Sequence, residues 1–369
     1  MTDSSPLSSR WYATGSWLGI LLVLVFALNT AGGWVRLSGA GVAIPHWPII
    51  DLGTHKTLLP PWSSSEWDAA REAWATHQSA LRERIAKGTL HASNLGRTPK
   101  DADEFKVLFL TEWGHRLLAA FTGLVALGIL VTVFRDAALR GAIGVSYGIA
   151  FGLIVFQAIL GGLLVDEGTN TPHLWAHQGN AGVIMSCLVW SLLILLSGRS
   201  LPVHGRRFSL LVTLGVVVIT WAQLVSGALV SGSKGVEGGY IPRDFFSFAG
   251  LWHGDMSVGW NLTRNPGVAQ WMHRWAAWMV VILQSALMVH LWLRPLGPRL
   301  RLLTQVLATF LGVQMLLGLA SGTLGAQPLL ILAHQAMGMC VLLTVVVMLF
   351  DLRYEPAVAA DPDPAMARA

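Results

Sequence analysis

Eight stretches of this chain are mostly apolar for more than twenty residues, near 12–36, 107–134, 142–165, 173–197, 208–231, 268–293, 301–323 and 328–351. About 20 such residues cross the hydrocarbon of a bilayer. No water is available there for an unpaired backbone N–H or C=O, so runs of this length are expected as helices. The reading is an all-α integral membrane protein with eight transmembrane helices. Composition agrees: 53% of the 369 residues are hydrophobic and 12% charged, against about 25% charged in a soluble domain. The net charge of +5 is no argument for nucleic acid, because the basic residues sit in short loops between apolar runs. Cys187 and Cys340 fall inside apolar runs, which leaves no disulfide framework. The first run follows a short polar start without a small-residue cleavage site, and is read as a retained span.

Orientation follows from the short loops. Arg135 and Arg140 lie between runs two and three, Arg199, Arg206 and Arg207 between four and five, and Arg294, Arg299 and Arg301 between six and seven. The connections 166–172 and 324–327 have neither Lys nor Arg. The positive-inside rule then places both termini in the cytoplasm. Two outer loops are long, 37–106 and 232–267. The first contains Ser65-Glu66-Trp67-Asp68, a capping-box-like start to a helix reaching about Lys87. Trp67, Trp74, Leu81 and Ile85 share a face of that helix, as in a helix lying on the membrane surface.

Two histidine patterns recur along the chain. Glu112-Trp113-Gly114-His115-Arg116 returns 158 residues later as Gln270-Trp271-Met272-His273-Arg274, and Ala176-His177-Gln178 returns 157 residues later as Ala333-His334-Gln335. Gln157 stands twenty residues before His177, as Gln314 does before His334. The fold expected is two tandem four-helix bundles related by a parallel internal repeat. They span 1–200 and 201–354, followed by a disordered tail at 355–369.

An ionisable residue inside a bilayer is a functional hypothesis by default. One such histidine is readily a hydrogen-bonding helix contact; four, paired by a repeat on facing helices, point to ligation. Two imidazoles on opposite sides of a flat macrocycle complete six-coordinate iron, whereas zinc or copper would want further ligands close by. The reading is two bis-histidine haem sites, His115 with His177 and His273 with His334. His173, one turn before His177, competes, but the matched glutamine spacing favours His177. Arg116 and Arg274 are candidates for pairing with haem propionates or for snorkelling to headgroups. Glu112, three residues before His115, has Gln270 as its counterpart. A carboxylate beside one pair alone suggests that one site reacts while the other moves electrons.

These residues resemble the haem A synthases of bacteria and mitochondria. The resemblance is carried by Val35-Arg36-Leu37-Ser38-Gly39, Trp47-Pro48, Pro60-Pro61 with Glu66-Trp67, and Glu104-Phe105-Lys106. It continues through Glu112-x-x-His115-Arg116, Gln157-x-x-x-Gly161-Gly162, His177, His273-Arg274 and His334-Gln335. The first outer loop has no cysteine pair, like one branch of the family. Residues 41–47, Gly-Val-Ala-Ile-Pro-His-Trp, depart from the family's usual segment.

The resemblance implies conversion of haem O to haem A, the C8 methyl becoming a formyl group by successive hydroxylations. His115 and His177 would hold the substrate haem, with Glu112 as catalytic carboxylate. His273 and His334 would hold a resident haem b through which electrons leave. Arg36, Arg116 and Arg274 would support propionates. It also implies a multi-pass protein of the bacterial inner membrane, working with haem O synthase and the cytochrome oxidase assembly machinery. The electron acceptor, for which a quinone is the candidate class, and any homo-oligomer stay open. So do two other functions: an electron-transfer membrane cytochrome b, and a haem carrier without catalysis.

Overall fold

The computed structural model describes residues 9–90, 95–166, 168, 171–197, 201–202, 206–233, 248, 250–294, 297–324 and 327–355. Among them, eight helices are long and apolar enough to cross a membrane, one for each run read in the sequence. They are α1 (Ser9–Ser38), α3 (Ala102–Arg135), α4 (Ala137–Asp166), α5 (Thr171–Ser197), α6 (Arg207–Gly232), α8 (Pro266–Trp292), α9 (Pro298–Thr323) and α10 (Pro328–Arg353). Two shorter helices, α2 (Ser64–Ala86) and α7 (Val258–Thr263), lie in the two long loops. Strand pairs of two residues each, β1 (Ile50–Asp51) with β2 (Lys56–Thr57) and β3 (Leu201–Pro202) with β4 (Tyr354–Glu355), are antiparallel. The chain is an all-α multi-pass membrane protein. The tail read at 355–369 lies outside the described residues except for Glu355, which pairs with Leu201.

Several helices run past the apolar stretch that announced them, because their caps stand in the flanking polar sequence. The Asp101 carboxylate accepts the Glu104 amide at 2.8 Å and starts α3 five residues before the apolar run. Asp136 alone separates α3 from α4, its carboxylate accepting the Ala138 and Leu139 amides. These bonds satisfy donors that a helix start leaves open.

Helix α1 packs on α3 and α5, α3 on α4, and α4 on α5; α6 packs on α8 and α10, α8 on α9, and α9 on α10. The two sets meet where α5 touches α6 and α10, and α1 touches α10. Helices α5 and α10 are the most enclosed of the eight. Glycine permits the α5–α6 contact: a Cβ at Gly179 would stand 3.0 Å from Val225 and 3.2 Å from Trp221, whose indole N–H donates to the Gly179 carbonyl at 2.8 Å. Small residues admit this close approach where lipid offers no hydrophobic drive to associate. Cys187 and Cys340 are free.

Helix α2 departs from the sequence reading in two respects. Its capping box is Ser63 with Glu66, two residues before the one expected at Ser65: Ser63 Oγ accepts the Glu66 amide, and Glu66 Oε2 takes the Trp62 and Ser63 amides at 2.7 and 3.0 Å. A glutamate reaches back one full turn, which an aspartate at 68 cannot do for Ser65. Nor does the aromatic face lie on lipid. Trp67 and Trp74 pack edge-on or tilted against Phe105 and Phe109 of α3, closing a small core with Ile44, Ile50, Leu52 and Ala70. An amphipathic helix near a protein surface buries its stripe there as readily as in headgroups.

The Trp62 amide first, then that of Ser63, holds the Glu66 carboxyl below its ordinary value of 4.5. A depressed carboxylate contributes stability above its unfolded pKa and loses it as pH falls through the folded one. Protection of the Trp62 and Ser63 amides in hydrogen exchange should therefore be steady from neutral pH to about 5 and fall below 4.5. Glu66→Gln should flatten that dependence.

Candidate active site

Each of the four repeated histidines lies against a glycine on a neighbouring helix. A Cβ at Gly32 of α1 would stand 3.1 Å from His115 Nε2, and one at Gly161 of α4 3.7 Å from His177 Cε1. At Gly227 of α6 and Gly318 of α9 the distances to His273 and His334 Cε1 would be 3.3 and 2.8 Å. Glycine lets the flat face of one helix approach the ring. Gly161 and Gly318 each stand sixteen residues before their histidine, a match visible in the sequence. Gly162, its neighbour, packs instead against the Trp47 ring.

Hydrogen bonds orient the rings. His334 Nδ1 faces the Gln314 carbonyl at 3.2 Å; a carbonyl only accepts, so Nδ1 carries the proton and Nε2 the lone pair. His273 Nδ1 lies 2.8 Å from Ser226 Oγ, whose hydroxyl donates to the Gln223 carbonyl at 2.7 Å. Gln223 Nε2 donates to the His273 carbonyl at 2.9 Å. His115 lies near the Leu28 carbonyl. His177 differs: its Nδ1 is buried without a hydrogen-bond partner, while its own carbonyl accepts Gln157 Nε2 at 3.0 Å. Gln157 is held in turn by Asn180 at 2.7 Å. The glutamine twenty residues upstream thus touches its histidine residue in both repeats. Ser226 and Gln223, which carry His273, have no such sequence signal.

The fold brings His273 and His334 together, ring centroids 6.3 Å apart and planes at 81°. His177 lies within charge–charge range of His115. Among the described residues no group of three or more His, Cys, Asp and Glu converges in a way that could hold a bare metal ion.

Glu112 is 3% exposed and fully engaged. Arg116 Nη2 donates to Oε1 at 2.6 Å, and the Ile44 amide donates to Oε2 at 2.9 Å. Arg116 also donates to the carbonyls of Ile44 at 2.7 Å and His46 at 2.5 Å. The spacing alone put this carboxylate on the His115 side of α3; its oxygens are turned to the 40–47 loop. A buried carboxylate takes the nearest cation and open amides, since standing unpaired costs several kcal/mol. In the second repeat Arg274 Nη2 donates to Gln270 Oε1 at 3.1 Å, the same i,i+4 contact without the negative charge. Arg36, at the end of α1, donates to the Ser231 carbonyl of α6 at 2.7 Å. Of the next candidate carboxylates in the sequence, Asp166 and Glu167 of the connection 166–172, the first ends α4 and the second lies outside the described residues.

Residues 15–346 match the cytochrome oxidase assembly protein family, COX15-CtaA. The chain is 30% identical over 350 residues to a protein of Rhizorhabdus wittichii named "Heme A synthase", covering 91% of this chain and 92% of that one. It is 28% identical over 337 residues to a protein of the same name from Nitrosospira multiformis, covering 87% and 88%. The chain belongs to the haem A synthase family. Every histidine and glycine described above falls within the part that matches this family.

The glycine contacts are testable. Gly318→Ala puts a Cβ 2.8 Å from His334, so the ring must shift; Gly312 on the same helix meets nothing within 4 Å. The protein purified from cells should retain less haem per chain with Gly318→Ala and a wild-type amount with Gly312→Ala, read by absorbance.

Proposed function

We propose that this protein is a haem A synthase that oxidises the C8 methyl of haem O to a formyl group. The substrate haem is held by His115 and His177, and a haem b by His273 and His334. Residues 1–200 and 201–354 then form two four-helix halves, one reactive and one electron-carrying. The observation that carries the reading is the pairing of like with unlike: two histidine pairs with glycine-cleared rings, and an acid beside only one.

The residues fit the group they would hold. Two imidazoles that held one iron, each through a metal–nitrogen bond of roughly 2 Å with about 1 Å more to the ring centre, would stand about 6 Å apart. His273 and His334 stand 6.3 Å apart. His334 offers an unprotonated Nε2 because its Nδ1 is spent on a carbonyl, the usual support of a metal-bound histidine. A haem b there would supply one-electron carriage.

In the first half each hydroxylation inserts oxygen from water into a C–H bond. It removes two electrons and two protons to an acceptor of the quinone class, and the gem-diol reached after the second loses water. Glu112 either takes the proton of the attacking water or stabilises positive charge at the methyl carbon. Arg116 holds it in place.

Glu112→Gln removes both roles and keeps the fold, since Gln270 already makes the same contact to Arg274. A general base or stabilising charge contributes roughly 10²–10⁴-fold. Haem extracted from the variant should be haem O or its hydroxymethyl product, with the low-spin haem b signal intact. His273→Ala should lose that signal. Haem A at the wild-type level in Glu112→Gln would remove Glu112 from the chemistry, leaving it to hold the 40–47 loop and the catalytic carboxylate to be sought at Asp166 or Glu167, whereas wild-type protein that holds haem O unconverted would leave a cytochrome or a carrier.

The same reading places both termini in the cytoplasm of a bacterial inner membrane. Ser79 on α2 and Gly297 before α9 are exposed. A cysteine at Ser79 should react with an impermeant thiol reagent on cells and one at Gly297 should not; the reverse would invert the topology.

A further inference from the structure

We infer that Asn29 of α1 is a positioning residue that links the two histidine pairs, so that the state of one is felt at the other. Asn29 Nδ2 donates to Gln178 Oε1 at 3.0 Å. Gln335 Nε2 donates to the Asn29 carbonyl and to Asn29 Oδ1, each at 3.2 Å. Gln178 immediately follows His177, and Gln335 immediately follows His334. A single amide on α1 therefore joins the residues next to one histidine of each pair, at the seam where α1, α5 and α10 meet.

The seam is built for this contact. A Cβ at Gly33 would stand 2.7 Å from Gln335 Oε1, so a larger residue there would push the Gln335 amide aside. In a span the three amides have no water to turn to, and a broken arm leaves polar atoms unsatisfied in an apolar surround. A displacement of Gln178 is thereby carried to Gln335, and through each helix backbone to the adjoining histidine.

The bridge is also one-sided. Three residues before the histidine-facing Gly32 stands Asn29; three before the histidine-facing Gly227 stands Leu224. Leu224 packs at Gly338 and offers no hydrogen bond. Asn29 thus breaks the likeness of the two sets of helices just as Glu112 does, with one link between the sites where strict repetition would give two or none.

The inference rests on the haem-binding reading of the two pairs, and the test separates them. In the purified full chain, electron paramagnetic resonance reads the low-spin signal assigned to His273 and His334. His115→Ala, which removes a ligand from the other pair, should shift the position of that signal in an otherwise wild-type chain. In an Asn29→Leu background the same substitution should leave the signal where it is. If Asn29→Leu yields no folded protein, Gln178→Leu cuts one arm of the bridge and should likewise abolish the shift. A residue of merely structural value would lower haem content or thermal midpoint without touching this dependence. An equal shift with and without Asn29, or no shift in the wild-type background, overturns the inference. A low-spin signal that survives His273→Ala overturns the functional reading instead.

Discussion

A hydrogen-bonding group on one of these spans has no solvent to fall back on, and much of the site's geometry follows from that. Ser226 next to His273 and the Gln314 carbonyl next to His334 each engage an imidazole nitrogen that lipid could not. A carbonyl is a decisive partner because it only accepts, so it selects the tautomer as well as the orientation. His177 is the exception, its Nδ1 buried and unpartnered. An orphan of that kind in a native fold asks for an explanation. A partner supplied with the bound group is one that the proposed function provides.

Periodicity and repeat made much of this readable before any coordinates. Apolar length found all eight spans, and the glutamine twenty residues before His177 does meet that residue, at its backbone carbonyl. Contacts between helices distant in sequence were not readable. Nothing in the sequence around Asn29 says that its partners are residues 149 and 306 positions away. Nor does the pattern of α2 tell whether its tryptophans meet headgroups or the phenylalanines of α3, because both surfaces reward the same apolar stripe. The matched glycines were visible as spacing, but what made them matter was the ring on the next helix.

Glu112 shows how a buried charge can be both a structural tie and a chemical resource. Its two oxygens are saturated by Arg116 and the Ile44 amide, and Arg116 spends its other donors on the carbonyls of Ile44 and His46. Such a clamp makes the carboxylate rigid, which is what electrostatic preorganisation requires. It also raises the cost of moving the carboxylate to collect a proton, which tilts the proposed chemistry toward charge stabilisation. Gln270 with Arg274 shows that the neutral version of the contact is compatible with the same helix packing. The charge is then hard to explain by folding alone, because folding is served without it in the other pair.

The clamp also bears on residues 41–47, read above as differing from the family's usual segment. Every contact from residues 40–47 to Glu112 or Arg116 described above is made by backbone: the Ile44 amide and the Ile44 and His46 carbonyls. The path of that loop is fixed by backbone too. Gly39 turns the chain at φ +76°, a conformation other residues rarely adopt, and a Cβ there would also stand 2.5 Å from that of Arg97. The Ala40 amide returns to the Val35 carbonyl at 3.0 Å, the Ala43 amide to the Ala40 carbonyl at 2.9 Å, and Arg97 donates its amide to the Gly39 carbonyl. The carboxylate is therefore held by backbone groups, while the buried side chains of Val42, Ala43 and Ile44 anchor that backbone in the cores beneath it. Gly39 is the residue on which that path turns.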